Sequence, residues 1–367
     1  MKHHDFSISN YFANVEDPRK YNIQHSLIDI ITITICALIC GAQNWGDVEQ
    51  YGKSKYQWLK QFLALPNGIP SHDTFGRVFS MLDPQQFKEA FLNWSQSILT
   101  LIGQIAIDGK TLRASHDTAA GKSAIHMVSA WAVENGIVLG QIKTDEKSNE
   151  ITAIPELIKQ LELQGTVVSI DAMGCQKAIA KQIIEKKGDY VFSLKGNHSA
   201  LHDQVALFFK DPQNLSEFDC FASTDGDHGR IEIRRYATCD TIDWLQGKEH
   251  WAGLKTITKV ERERHIDGKT SIETSYYISS LGRDIHKIAR VIRGHWHIEN
   301  SLHWVLDVTF DEDRCRVRKD HAPENMAILR HIVLNMIKQE NSFKGSIHRK
   351  RLKAAWENDY LLKILNS

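Results

Sequence analysis

The sequence predicts an α/β fold preceded by an all-helical region. Apolar residues recur at helical spacing from about residue 6 to residue 102, whereas short apolar runs typical of buried strands dominate from about residue 103. An Asn-Gly pair between two of those runs is a strong hairpin signal. With 367 residues, 42% of them hydrophobic and 25% charged, the chain has the size and composition of a globular protein with a sizeable core.

The helices predicted at the amino terminus have recognisable beginnings. Residues 26–40 form an apolar run that is too short to cross a bilayer, so we expect a buried helix there. Asp83 and Pro84 supply a cap and a first-turn proline for a second helix, and Ser71 opens a shorter one. Residues 44–81 could contain a helix-turn-helix that binds nucleic acid, but short helices joined by turns also occur without that function. Both interpretations stay open.

From residue 103 onward the pattern is that of a sheet with intervening helices. Five apolar runs predict strands at 105–108, 125–133, 137–142, 166–171 and 190–195. Asn135 and Gly136 join the second and third strands, and helices at about 149–161 and 176–187 precede the fourth and fifth. This order of elements is that of a ribonuclease-H-like domain: three strands, a helix, a strand, a helix and a strand. In such a domain the first and fourth strands are neighbours.

The rest of the chain divides into a strand-rich part and a helical part. Residues from about 212 to 282 contain strand-like runs such as 230–235 and 274–279, which we interpret as a β insertion in the same domain. Helical spacing returns over 285–305, and a further helix is predicted at 323–338.

Neither the cysteines nor the amino terminus indicates export or a membrane. The six cysteines include no CxxC pair, so the sequence predicts reduced thiols rather than a zinc site or a disulfide framework. Residues 1–5 lack the apolar segment of a signal peptide. We therefore expect a cytoplasmic protein with no membrane partner.

Two aspartates occupy positions suited to metal chemistry. Asp108 and Asp171 each end an apolar strand, and these are the two strands expected to be neighbours. Mg²⁺ prefers carboxylate oxygens, and two divalent ions about 4 Å apart can activate a nucleophile and stabilise a leaving oxygen in phosphoryl transfer. Because polar residues end most strands and the chain has 45 carboxylates, spacing alone does not single out this pair.

One unusual segment suggests a third carboxylate. Glu299 lies in a predicted helix, within residues 293–304, which also contain two tryptophans and three histidines. His295 and His303, four residues to either side of Glu299, share its helix face. An alternative is a transition-metal site formed by these two histidines with His297 and Glu299, because imidazole suits zinc or iron.

The distribution of charge is compatible with a nucleic-acid partner. The spacing of the glycines gives no support for a bound nucleotide. The chain carries 45 Lys and Arg against 45 Asp and Glu, but from Arg283 to the end there are 16 basic and 11 acidic residues. Basic clusters at 314–319 and 348–353 can neutralise phosphates, although solvated helix faces have the same pattern. Three Gly-Lys-Thr or Gly-Lys-Ser triplets lack the earlier glycine of a phosphate-binding loop, so no nucleotide cofactor is predicted.

In their order along the chain, these motifs resemble those of the H-repeat-associated insertion-sequence transposases, a DDE group found in bacteria. The matching stretches are 6–82, 106–110, 148–151, 170–172, 194–197, 227–230 with Glu232 and Arg234, 294–304, 306–310 and 322–325. They include Ala106-Ile107-Asp108-Gly109-Lys110 and Gly294-His295-Trp296-His297-Ile298-Glu299-Asn300-Ser301-Leu302-His303-Trp304. Together they extend over nearly the whole sequence.

The resemblance implies a helical transposase-associated domain at 1–102, with possible DNA binding. A ribonuclease-H-like DDE catalytic domain would follow at 103–367, with the β insertion at about 212–282 and helices at its end. The implied activity is Mg²⁺- or Mn²⁺-dependent strand cleavage at insertion-sequence ends and transfer into target DNA. Asp108, Asp171 and Glu299 match the catalytic, metal-binding triad. The implied partner is double-stranded DNA, both terminal inverted repeats and target, bound by an oligomer in the cytoplasm or on the nucleoid.

Further predicted DNA contacts are basic or polar residues near strand ends, in the insertion, beside Glu299 or in the basic cluster after it. They are Lys110, Lys195, Asn197, His228, Arg230, Arg293, His295, Asn300, Arg314 and Arg316. Related DDE transposases carry a Tyr-x2-Arg-x3-Glu-x6-Lys signature, and here Ile292, His295 and Leu306 replace its Tyr, Arg and Lys. The resemblance therefore does not extend to hairpin-forming cleavage. For Trp296 and Trp304 we expect core packing in preference to stacking on flipped bases.

Two other functions are compatible with these residues. A ribonuclease-H-like nuclease would cut without joining, and a domesticated, catalytically silent protein would bind DNA without cutting it. Joined products would separate a transposase from the nuclease, and binding without cleavage would identify the silent protein.

Overall fold

The computed structural model describes residues 7–21, 23–99, 103–116, 121, 123–144, 150–227 and 230–367. Its strands are β1 (Gln104–Thr111), β2 (His126–Ala132), β3 (Ile137–Lys143), β4 (Val167–Ile170), β5 (Asp189–Leu194), β6 (Asp219–Asp227), β7 (Arg230–Cys239), β8 (Thr256–Ile266) and β9 (Lys269–Ser279). They form one sheet in the order β3-β2-β1-β4-β5-β9-β8-β7-β6. The predicted α/β class is confirmed.

Helices flank this sheet and precede it. They are α1 (Ser7–Phe12), α2 (Leu27–Ile39), α3 (Trp45–Ser54), α4 (Tyr56–Leu59), α5 (His72–Met81), α6 (Pro84–Ser97), α7 (Glu150–Gln160), α8 (Lys177–Glu185), α9 (Ser199–Lys210), α10 (Ile285–Ile298), α11 (Trp304–Thr309), α12 (Ala322–Gln339), α13 (Ile347–Trp356) and α14 (Asn358–Leu365). Among the described residues, no helix is both long and apolar enough to cross a membrane.

The predicted helix caps at the amino terminus are confirmed. The Ser71 hydroxyl accepts a hydrogen bond from the amide of Thr74, and the Asp83 carboxylate accepts one from the amide of Gln85. Each bond satisfies a backbone donor that the first helical turn leaves free. The cap predicted for α7, Asn149, lies outside the described residues.

Helices from both ends of the chain enclose one core. Buried residues of α2, α5 and α6 belong to the same apolar cluster as those of α12 and α14. The buried Asn325 amide in α12 donates to the carbonyls of Phe79 and Leu82, at 2.9 Å each. On the sheet side, Asn335 exchanges two 2.8 Å hydrogen bonds with the backbone of Val138 in β3. α12 therefore connects the helices that begin the chain to the edge of the sheet.

The first five strands have the predicted connections. β1, β2 and β3 are antiparallel, and Gly136, at φ 65°, turns the chain between the last two. β4 is the neighbour of β1, as predicted, and runs parallel to it, and β5 is parallel to β4. β1 runs on to Thr111 instead of ending at Asp108, because Gly109 to Thr111 still pair with β2. β4 stops at Ile170, opposite Ile107, so Asp108 is the first residue beyond the parallel pair.

The strands of the predicted insertion extend the same sheet. β9 pairs antiparallel with β5, and β8, β7 and β6 follow outward from it. The insertion therefore lies beside the ends of β4 and β5.

A glycine and a glutamine hold α10 against the sheet. The amide of Gln104 in β1 donates to the Ser169 hydroxyl and to the Val291 carbonyl, both at 2.8 Å. A Cβ atom on Gly294 would lie 2.1 Å from Oε1 of Gln104. The absence of a side chain at Gly294 thus lets α10 cross β1 and β4 closely.

Candidate functional site

The ends of β1, β4 and β5 open into a cleft of about 330 Å³. Asp108, Asp171 and Glu299 all line it, together with Lys195 and residues of the insertion. The structure thus brings the three predicted carboxylates to one place, although they lie far apart in sequence.

Asp108 is the most enclosed of the three carboxylates. Its side chain is only 12% exposed, and it lies on β1 beside the cleft. Burial raises the pKa of Asp108 well above its ordinary value, and the nearby carboxylates of Glu299 and Asp171 raise it further. Without a bound cation, this group therefore tends to keep a proton at neutral pH.

Asp171 is held by the turn that follows β4. Its Oδ1 accepts hydrogen bonds from the amides of Met173 at 3.0 Å and Gly174 at 3.2 Å. Burial raises the pKa of Asp171, and Glu150 adds to the effect against the opposing amide bonds. The Asn197 amide donates to the Ala172 carbonyl at 2.7 Å, which braces the same turn.

Glu299 begins a π-helical turn, residues Glu299–His303, between α10 and α11. Single π turns of this kind occur often at functional sites. His303, four residues later, has its Nδ1 3.4 Å from Oε2 of Glu299 and 3.6 Å from Oδ2 of Asp108. Hydrogen bonding to His303 lowers the pKa of Glu299. The π turn therefore presents a carboxylate and an imidazole together to Asp108.

Two sets of side chains bring potential metal ligands within 4.8 Å of one another. One set is Asp108, Glu299 and His303, and the other is Asp108, Glu150 and Asp171. Asp171 and Glu299 belong to different sets, with Asp108 common to both.

Glu150 and His126 were not predicted as site residues. Glu150 is the first residue of α7, and its Oε1 lies 2.9 Å from Nε2 of His126 in β2. An acidic residue in the first turn of a helix is ordinary, because it interacts favourably with the helix dipole. The one signal in the sequence was that Glu150 lies in stretch 148–151, which is among the stretches that match the family motifs.

The transition-metal alternative is not supported. Nδ1 of His295 lies 3.1 Å from the Ser169 hydroxyl, and burial lowers the pKa of His295 to about 4. His297 is exposed, and neither residue belongs to a set of possible metal ligands among the described residues. His295 is also neutral at pH 7, so it offers no positive charge to a phosphate.

A second cavity, the arginine chamber, adjoins the cleft and has a volume of about 470 Å³. It is lined by Asp225, Arg230, Glu232, Arg234, Arg262, Arg264, Arg293, Trp296 and Asn300. Three of the predicted DNA contacts, Arg230, Arg293 and Asn300, meet there. Arg262 and Arg264 line both cavities but were not predicted, because alternating charges on a strand are common on exposed faces.

The remaining predicted contacts are dispersed. The Lys110 ammonium is 10% exposed and lies 2.7 Å from Asp307, 3.2 Å from Glu312 and 3.4 Å from Asp313. Lys195 lines the cleft. The side chain of Arg314 is 85% exposed, and Arg316 lines a separate groove beside α3 and α5. His228 lies outside the described residues.

The expectation of core packing for the two tryptophans is wrong. Trp296 is 41% exposed and Trp304 is 58% exposed. Ile288, Ile298 and Leu302 fill the space beneath these helical turns, so the tryptophans are left towards solvent.

Comparison with known proteins gives consistent results over the whole chain. A family model described as "Transposase DDE domain" matches residues 100–336, and one described as "DDE_Tnp_1-associated" matches residues 9–95. The chain is 42% identical to the "H repeat-associated putative transposase YhhI" of Escherichia coli (strain K12), covering 98% of this chain and 97% of that protein. It is 41% identical to the "Putative transposase YncI" of Escherichia coli O157:H7, covering 98% and 95%.

One solved structure is also similar, at a greater distance. The piggyBac transposase in a synaptic complex with hairpin DNA aligns with 99% of this chain and 80% of its own, at 11% identity and a TM-score of 0.42. A likeness at this level supports no conclusion about function.

Proposed function

This chain belongs to the DDE transposase family, and on that premise we propose that it cuts DNA strands at the ends of an insertion sequence and joins them to target DNA. The observation that supports catalysis is the convergence of Asp108, Asp171 and Glu299 on one cleft. A strand, a strand end and a helical turn supply the three carboxylates. Because distant segments are needed to build it, the cleft is unlike a chance cluster of surface acids.

We propose that the catalytic part, residues 103–367, is a ribonuclease-H-like domain. Three antiparallel strands, with β4 and β5 then added parallel to β1, support this fold. Residues 1–102 would form the associated helical domain. We expect the protein to act in the cytoplasm, on DNA of the nucleoid.

DDE transposases use divalent metals, and we propose Mg²⁺ or Mn²⁺ as the ions of this site. Asp108 would bind them together with Asp171 on one side and Glu299 on the other, because carboxylate oxygens suit hard cations. Divalent ions there would activate the attacking oxygen and stabilise the leaving oxygen. The amides of Met173 and Gly174 hold Oδ1 of Asp171, so Oδ2 would be the oxygen that binds an ion.

The protein's own groups also control a proton at this site. Burial and like charge favour one proton held on Asp108 beside Glu299 while cations are absent. His303 donates to Glu299 and so keeps that carboxylate ionised. Asp108 would have to lose this proton to bind a cation, so we propose that ion affinity increases with pH.

The arginine chamber supports a path for the DNA strand. Five arginines face two carboxylates in its wall, so the chamber carries surplus positive charge next to the acidic cleft. Guanidinium groups bind phosphates through paired hydrogen bonds. Trp296 lines both cavities, with the Arg262 guanidinium 5.1 Å from its ring centre. We propose that phosphates lie on the arginines while an unpaired base stacks on Trp296.

Two DNA ends must be cut and joined together, so we propose that an oligomer binds the terminal inverted repeats and the target. The test of the function is a supercoiled plasmid that carries the element's ends, incubated with Mg²⁺ or Mn²⁺. We expect the parent protein to cut at the ends and to yield joined products. Asp108→Asn, Asp171→Asn and Glu299→Gln should bind the same DNA without cutting it.

Each of the other outcomes would indicate a different function or a different third ligand. Cutting without joined products would indicate a nuclease, and binding without cutting by the parent would indicate the silent DNA-binding protein. Equal cutting by the Glu299→Gln variant would move the third ligand to another residue.

A further inference from the structure

We propose that Glu150 is a fourth carboxylate ligand of this centre and that His126 is the residue that positions it. The inference rests on the proposed function, because it concerns the same divalent ions. It adds two residues to the triad of Asp108, Asp171 and Glu299.

The first argument is the division of the ligands into two sets. Glu299 and His303 form one set of possible ligands with Asp108, whereas Glu150 and Asp171 form a second set with it. In the set that contains Asp171, Glu150 is the third side chain whose oxygen lies within 4.8 Å of the other two. Two divalent ions in one centre would need ligands from both sets. Asp108 belongs to both sets and could serve either ion, and Glu150 completes the set that contains Asp171.

The second argument is that Glu150 is held in place by a chain of hydrogen bonds. Nε2 of His126 lies 2.9 Å from Oε1 of Glu150, and Nδ1 lies 2.9 Å from the Thr111 hydroxyl. A neutral imidazole satisfies both contacts if the Thr111 hydroxyl donates to Nδ1 and the Nε2 hydrogen is donated to Glu150. This arrangement is that of a residue that orients a metal ligand.

The third argument comes from the backbone at Gly109. A Cβ atom at this position would lie 2.2 Å from Oε1 of Glu150 and 2.3 Å from Nε2 of His126. Both distances are far shorter than any real contact, and φ at Gly109 is not in the left-handed region. The glycine next to Asp108 is therefore needed for the space it leaves, and that space is occupied by the contact between Glu150 and His126.

The arrangement is costly unless a cation joins it. Glu150 is 14% exposed at its side chain and faces two more carboxylates, while its one direct partner among the contacts described is His126. Even with a proton on Asp108, the carboxylates of Glu150 and Asp171 repel each other, the more so where water is partly excluded. A cation bound among them removes the repulsion, so the geometry suits a metal ligand better than a structural ion pair.

The experiment measures Mn²⁺ binding to the full-length protein without DNA at pH 8, by electron paramagnetic resonance of the free ion. Glu150→Gln keeps the shape and the hydrogen bond from His126 but removes the charge. We expect it to bind about one Mn²⁺ per chain fewer than the parent. The matched control is Glu156→Gln, since Glu156 lies on the same helix, is 57% exposed and pairs with Lys159. The control should bind Mn²⁺ as the parent does.

Thermal unfolding separates a ligand from a structural residue. In EDTA, Glu150→Gln should melt at a higher temperature than the parent because the repulsion is relieved, and Mg²⁺ should raise its Tm less. For His126, replacement by Phe should weaken Mn²⁺ binding roughly 10- to 100-fold, and replacement by Gln, which can still donate, should restore part of the affinity.

Unchanged Mn²⁺ binding by Glu150→Gln, or a lower Tm in EDTA with binding retained, would overturn the inference. If the parent itself binds no Mn²⁺, the proposed metal-dependent function fails as well. If the parent binds Mn²⁺ and cuts DNA while Glu150→Gln binds as many ions, only the role of Glu150 is refuted.

Discussion

The effect of Gly294→Ala on the free energy of unfolding should depend on the residue at position 104 in β1. The substitution should destabilise the protein when Gln104 is present and stabilise it when Gln104 is replaced by alanine. The new Cβ would lie 2.1 Å from Oε1, 3.0 Å from Cδ and 3.2 Å from Nε2 of Gln104, so that side chain must move. Its two buried hydrogen bonds, to Ser169 and Val291, would then break. Each is worth about 1 kcal/mol net, and a buried group left without a partner costs about 1–3 kcal/mol.

The opposing contribution comes from the helix itself. Alanine is favoured over glycine within a helix by about 1 kcal/mol. Gly294→Ala should therefore destabilise the parent by about 1–3 kcal/mol. In a Gln104→Ala background the clash and both hydrogen bonds are already absent. There the same substitution should stabilise the protein by up to about 1 kcal/mol.

Urea unfolding in EDTA of the parent, both single variants and the double variant measures these free energies. The cycle also reports on the site, because the π turn that carries Glu299 follows α10 directly. Equal destabilisation by Gly294→Ala in both backgrounds would refute the packing argument and show that α10 does not depend on Gln104.

Three further perturbations test other parts of the structure. Trp296→Ala should weaken binding of a single-stranded oligonucleotide by roughly 10-fold, as expected for the loss of one stacked base. Replacement of the more exposed Trp304 by alanine should not weaken this binding. Fluorescence anisotropy in EDTA measures both affinities, and equal losses would count against the proposed strand path. Arg262→Gln should reduce the slope of log Kd against log salt for DNA by about 1. The control is Lys181→Gln, because the Lys181 side chain is 71% exposed in α8 and lines neither cavity. An unchanged slope for Arg262→Gln would remove Arg262 from the phosphate contacts. Burial lowers the pKa of His331 to about 4, below its unfolded value near 6.5, so its stabilising neutral form is present above pH 6.5 and is lost as pH falls to 4. The free energy of unfolding, measured with urea, should fall by about 3 kcal/mol over this pH range, and His331→Gln should reduce that fall. If the variant loses as much stability as the parent, other groups cause the acid sensitivity.

Local patterns in the sequence predicted most of the secondary structure. Asp83, Pro84 and Ser71 mark helix starts because caps depend on contacts within one turn. Gly136 marks the hairpin because its positive φ is a property of the turn alone. The order of strands and helices then sufficed to predict that β1 and β4 are neighbours, since short connections leave few alternatives.

Partners that come from distant segments could not be predicted in this way. Lys110 lies two residues beyond Asp108 on the same strand, which suits a DNA contact, yet Asp307, Glu312 and Asp313 surround it. No local pattern shows that residues near 310 return to β1. The exposure of Trp296 depends likewise on which face of α10 the sheet covers.

From the sequence alone we predicted most of the elements, their order, the family and, through the family resemblance, the three carboxylates. The folded structure alone shows that Glu150 and His303 belong to two different ligand sets around Asp108, and that Gly109 leaves space for the contact between Glu150 and His126. The physical reason is the distance along the chain over which each kind of interaction acts. Backbone preferences and caps act within a few residues, whereas a metal centre is assembled from side chains that meet only after the sheet and α10 have packed.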